Sequence, residues 1–126
     1  MINTKKLKKV LIIKEVSSKT GNLEPYLDFT RRLRNFLLGK VKIGFLEKAE
    51  KISDALEKEK KKTAAIIFVS QAMLIKAAIA GEKLPRLKFI IFGGATEEEV
   101  VQKNNLFILK KDSDTALASA LKIINS

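Results

Sequence analysis

The sequence predicts an α/β domain: a doubly wound, parallel, five-stranded sheet built as five successive strand–helix units, (βα)5. Three observations carry this expectation. Five short apolar runs alternate with five stretches of helical periodicity. The middle runs, at 64–69, 88–92 and 106–109, are almost continuously apolar, as strands covered on both faces are. With 126 residues, the chain suits one compact domain over 1–126, with no repeat or linker.

The first strand is Val10 to Ile13. Leu23, Tyr26, Leu27, Thr30, Leu33 and Leu37 then recur at helical spacing; Asn22 is the expected N-cap, Pro25 lies in the first turn and Gly39 ends the pattern. Val41 to Leu46 is the second strand. Glu50 to Lys62 is a polar helix with Ile52, Ala55 and Leu56 facing inward. Ala64 to Val69 is the third strand, and residues 71–80 are the third helix, closed by Gly81. After the fourth strand, Lys88 to Phe92, Thr96 caps a short fourth helix in which Glu99 completes a capping box. Asn104-Asn105 turns the chain into the fifth strand, Leu106 to Leu109. Asp112 or Ser113 caps a last helix that buries Leu117, Ala120, Leu121 and Ile124.

Composition excludes several chemistries. Cysteine and histidine are both absent, which removes disulfides, thiolate nucleophiles, the usual zinc sites and the usual serine triad. No apolar stretch approaches the roughly 20 residues that cross a bilayer. The basic start, MINTKKLKKV, leads into a strand without a small-residue cleavage site and does not read as a signal peptide, so a cytoplasmic protein with no membrane partner is expected. Lys and Arg number 25 against 14 Asp and Glu, a net charge of +11. A field of that sign attracts polyanions. A Lys-, Glu- and Ile-rich chain without Cys, His or Trp also has the balance of a heat-adapted (thermophile) protein, the reading favoured here.

The carboxyl ends of parallel strands are where open α/β sheets place ligands and catalytic groups. Here those ends are Lys14-Glu15, Glu47, Ser70, Gly93-Gly94 and Lys110-Lys111. With this set, the chain resembles, along almost its whole length, the receiver domain of two-component response regulators, a flavodoxin-like fold. The resemblance implies an acidic pair holding Mg²⁺ after the first strand and a phosphoacceptor aspartate after the third. It implies a Ser or Thr switch after the fourth and a Lys-Pro after the fifth. This chain has Lys14 and Glu15 at the acidic pair, Ser70 at the acceptor, Gly93 or Gly94 at the switch, and the retained Lys110 followed by Lys111.

Mg²⁺ favours oxygen ligands with carboxylates among them, and one carboxylate beside a lysine is a poor substitute. A serine hydroxyl with no base to activate it is a weak nucleophile. The resemblance therefore implies a degenerate receiver, or pseudo-receiver: a non-enzymatic signal-transduction or transcription-regulation module without metal or cofactor. In that family an effector domain usually follows the last helix, so the resemblance implies either a stand-alone protein or an excised N-terminal domain of a longer regulator.

Other signals are weaker. Ser17 to Gly21, SSKTG, lacks the first glycine and the Gly-Lys order of a phosphate loop. Gly93-Gly94 could admit a phosphate, yet backbone geometry is the simpler reason for glycine, and three glutamates follow. Asp112 and Asp114 read as helix caps before a cation site, and Arg31, Arg32 and Arg34 as the wet face of helix one. In the expected fold Lys14 and Lys110 sit close together at the sheet's carboxyl edge, where a sulfate or a nucleotide phosphate could bind. Helix 71–80 is apolar on too many sides. With Met73, Leu74, Ala77 and Ala78 against the sheet, Ala72, Ile75 and Ile79 point outward and predict a protein partner or a homodimer. The alternative function is a small basic α/β protein that binds nucleic acid or a nucleotide phosphate.

Overall fold

The computed structural model describes residues 8–15, 24–59, 63–69, 73–94, 98, 100–110 and 113–126. In chain order the elements are β1 (Lys9–Ile13), α1 (Glu24–Leu37), β2 (Lys42–Leu46), a 3-10 turn (Ala49–Lys51), α2 (Ile52–Glu59), β3 (Thr63–Phe68), α3 (Leu74–Lys83), β4 (Lys88–Gly94), β5 (Val100–Lys103), β6 (Leu106–Lys110) and α4 (Ser113–Ile124). Asn22, Leu23, Ser70, Gln71, Ala72, Thr96, Glu99, Lys111, Asp112 and the 17–21 loop lie outside the described residues, as do the side chains of Tyr26 and Ala55.

The sheet has six strands in the order β2-β1-β3-β4-β6-β5. β2, β1, β3, β4 and β6 pair in parallel, whereas β5 runs antiparallel to β6. This corrects the expected clean five-stranded (βα)5, flavodoxin-like or receiver-like sheet. The segment assigned to a fourth helix supplies strand β5 instead, so the connection from β4 to β6 is a β-hairpin arm. The reason is local. Val100 and Val101 are β-branched, and Lys103 pairs with Leu106 across a loop of only Asn104-Asn105. Asn104 takes φ +53, the left-handed conformation that asparagine tolerates in such turns. A helix squeezed into that span would have two turns at most, too short to hold itself.

Side chains alternate across the sheet and make two cores. Val10, Ile12, Ala65, Ile67, Ile90 and Phe92 meet α1 and α4 on one face. Leu11, Ile13, Ile66, Phe68, Phe89 and Ile91 meet α2 and α3 on the other. The first core centres on Phe29 of α1, stacked on Phe92 at 3.7 Å between ring centroids. Phe29 was not in the expected α1 stripe; Leu27, which was, is 54% exposed. Arg31 and Arg34 are exposed, as expected of a wet face, and on that face Arg32 makes a solvent-exposed ion pair with Asp114 of α4, giving Asp114 a use beyond capping.

At the amino edge of the sheet, Lys88 Nζ donates to the carbonyls of Ile123 (2.8 Å) and Ser126 (2.6 Å), and Lys8 Nζ to that of Ile124 (3.2 Å). These cations meet the negative end of α4. Burial, and then the Lys8 charge, lower the Lys88 pKa below its ordinary value.

Candidate functional site

The carboxyl edge of the parallel strands brings β1, β2 and α3 together. The Lys14 N–H still donates to the Leu46 carbonyl, 2.8 Å, so the β1–β2 pairing reaches that residue. Lys14 Nζ lies 3.8 Å from Glu47 and 5.5 Å from the centre of the Phe45 ring. Glu15, one position on, turns to the opposite side of the sheet. Its Oε1 accepts from the Ala49 N–H at 2.8 Å, and its Oε2 accepts from Lys76 Nζ of α3 at 2.6 Å. Lys76 also donates to Glu50 Oε1 at 3.1 Å.

One carboxylate thus holds the start of the 3-10 turn and the first turn of α3. Burial alone would raise the Glu15 pKa, but the Ala49 N–H and the Lys76 ammonium outweigh it and hold the carboxyl below its ordinary range. The Glu50 carboxyl is lowered by its own backbone N–H and then by Lys76. Hydrogen bonds to Glu15 and then to Glu50 raise Lys76. Each Glu15 oxygen thus has a donor from the protein, and among the described residues no three His, Cys, Asp or Glu side chains are grouped to hold a metal ion.

Gly93 is buried with φ +100, at the point where the β4–β6 register slips between Phe92 and Gly94. A glycine is required there for the bulge itself. Gly94 pairs with Lys110. Lys14 and Lys110 are not side by side: β3 and β4 intervene between their strands. Three strand spacings put them roughly 14 Å apart, so no joint anion site forms.

Helix α3 runs from Leu74 to Lys83, past the expected stop at Gly81. Met73, Ala77 and Gly81 face the sheet, while Ile75 and Ile79 are 75% and 50% exposed. A groove of about 390 Å³ lies beside them, lined by Glu50, Ile52, Lys76, Ile79, Ala80 and Leu84.

Asn105, read only as a turn residue, closes α3 from a distance. Its Nδ2 lies within hydrogen-bond reach of the carbonyls of Gly81 (3.1 Å), Leu84 (3.2 Å) and Leu87 (2.8 Å). Lys76 had one signal in the sequence: it is the lone charge between Ala72 and Ala80. Its partner Glu15, 61 positions away, stood out as the carboxylate at the end of the first strand, but nothing in the sequence tied it to Lys76.

No protein-family model matches the sequence, and no curated protein matches it. Solved structures do match. A fragment of a candidate lipoprotein from Peptoclostridium difficile 630 superposes with a TM-score of 0.60 at 15% identity, covering 94% of this chain and 99% of that one. The Francisella novicida lysine decarboxylase LdcF superposes with a TM-score of 0.53 at 15% identity over 96% of this chain. The chain spans 18% of the decarboxylase's length. At such identity the likeness is one of fold, and neither of these two is described as a receiver domain. Among the described residues no helix is long and apolar enough to cross a membrane.

Proposed function

We propose that this chain is a non-enzymatic, cytoplasmic regulatory module that works by protein contact, through self-association of helix α3. The observation that carries the reading is the pair Ile75 and Ile79, one turn apart and 75% and 50% exposed, next to an open groove. Exposed apolar groups grouped in this way mark interaction surfaces. The face also carries both signs of charge, with Lys76 and Lys83 near Glu50. Lys76 is already paired with Glu15 and Glu50 of its own chain, so in a two-fold contact Lys83 is the lysine that would meet acidic groups of the other copy. In this reading Glu15 is a clamp that holds α3 in position through Ala49 and Lys76.

Light scattering coupled to size exclusion tests the proposal. Wild type is expected at twice the 14.1 kDa chain mass, and the Ile75→Lys, Ile79→Lys double variant at 14.1 kDa. A wild type that stays at the single-chain mass over the accessible concentration range refutes it.

A further inference from the structure

A second cleft lies on the other face of the sheet, outside the carboxyl ends of β1 and β2. Its volume is about 590 Å³, and Lys14, Leu27, Arg31, Arg34, Asn35 and Phe45 line it. This size is within the range of small-ligand sites, about 300–1,000 Å³. Among the described residues no carboxylate lines it. Arg31 and Arg34 stand three positions apart on α1, so their Cβ atoms are about 5–6 Å apart on one helix face. Neither has an acidic partner among the described residues; in α1 it is Arg32 that is tied to Asp114. Lys14 completes the cationic ring, and its contact with Glu47 is long and solvent-exposed, hence weak and easily given up.

Two apolar groups stand inside this ring: Phe45, 40% exposed, and Leu27, 54% exposed. A core would have buried both. An aromatic ring left in water among three cations matches a ligand with flat apolar faces joined by negative charges. We infer that this cleft binds single-stranded nucleic acid, with a base on the Phe45 ring and backbone phosphates on Arg31, Arg34 and Lys14. Stacking on an aromatic side chain tolerates any base, and a basic groove tracks any backbone, so the binding has little sequence preference. Arginine suits the phosphate role because its planar fork can hold two oxygens at once. The net charge of +11 steers such a strand to the protein, but the cleft decides where it rests. None of this depends on α3, which packs on the opposite face.

The test is fluorescence anisotropy of a short labelled oligothymidylate. Three phosphate contacts predict a log–log salt slope of about −2. Arg31→Ala should make the slope shallower by about 0.7 and weaken binding several-fold. Phe45→Ala should weaken binding about tenfold, because a stacked base is lost. Arg86→Ala removes the same charge from an exposed turn at the far edge of the sheet and should leave affinity within about twofold. The chain has no tryptophan, so Phe45→Trp adds a single reporter whose emission a stacking base should quench. Absence of binding at low salt overturns the inference. So does an Arg86→Ala loss equal to that of Arg31→Ala, which would mean diffuse attraction only. Inorganic polyphosphate serves as the competing source of phosphate; if Phe45→Ala leaves oligothymidylate affinity unchanged while polyphosphate competes fully, the ligand is a bare polyanion and the assignment to nucleic acid fails.

Discussion

On one face of the sheet, α1 and α4 close over the strands: Phe29 stacks on Phe92, and Arg32 reaches Asp114 across the two helices. On the other face, α2 and α3 leave a groove of about 390 Å³ between them and put Ile75 and Ile79 in water. Both faces bury the same kind of alternating strand residues. The difference lies in what holds the helices in place. The first pair is held mainly by apolar packing, a short-range force that closes gaps. Helix α3 is held at its two ends by polar clamps, Glu15 on Lys76 and Asn105 on its last carbonyls. With Ala77 and Gly81 buried against the sheet and polar contacts at both ends, α3 is positioned without burying its outer surface, which stays available for a partner.

The contrast can be broken most severely on the packed face. Phe29→Ala removes a fully buried ring and should cost about 3–5 kcal/mol in chemical denaturation. If it costs less than about 1 kcal/mol, that face is not held by packing. Next in size is Asn105→Ala. It leaves three carbonyls without their shared donor and should cost about 1–3 kcal/mol. Hydrogen exchange should then rise first at the α3 end near Leu84, and not in α1.

Glu15→Gln should have a smaller effect, about 1 kcal/mol at neutral pH, because Lys76 stays largely solvated. Its pH dependence sharpens the comparison. The Glu15 pKa is lowered in the folded state, so its contribution is present above the unfolded carboxyl value and is lost as pH falls through the folded one. Wild type should therefore lose part of its margin over Glu15→Gln on acidification. A gap that stays constant through the acid range would mean that Glu15 is not the clamp. Smallest, within about 0.5 kcal/mol when compared at a dilution where wild type is a single chain, is the Ile75→Lys, Ile79→Lys pair, because in the single chain both side chains are in water; at higher concentration wild type should gain the stability of association and the variant should not.

The parts of the fold that sequence made legible are those written in consecutive residues. The strands at Val10, Ile66 and Phe89 lie in unbroken apolar runs, and their parallel pairing follows from the helices between them. The β4–β6 connection was misread because its helical cue was a capping box at Thr96 and Glu99, while the competing cue, Val100-Val101 ahead of Asn104-Asn105, spans only a few residues. Gly81 looked like a helix stop, but it is a buried contact: a side chain there would meet Phe89 and Asn105. The outward face of α3 could be read from Ile75 and Ile79 by period alone. The clamps could not, since Glu15 finds Lys76, and Asn105 finds Gly81, through the packing of the whole sheet. The cleft at Phe45 was equally hidden, because α1 and β2 each contribute only part of its charge and its apolar floor.

The claim that α3 is a meeting surface is tested most directly by distance measurement between copies. The chain has no cysteine, so one nitroxide can be placed through Lys83→Cys at the end of α3, or through Leu38→Cys on the opposite face. Electron–electron dipolar spectroscopy should give a sharp, short intermolecular distance for the Lys83→Cys label and a longer, broader one for the Leu38→Cys label. No intermolecular coupling at Lys83→Cys, or a shorter distance at Leu38→Cys, would contradict the account.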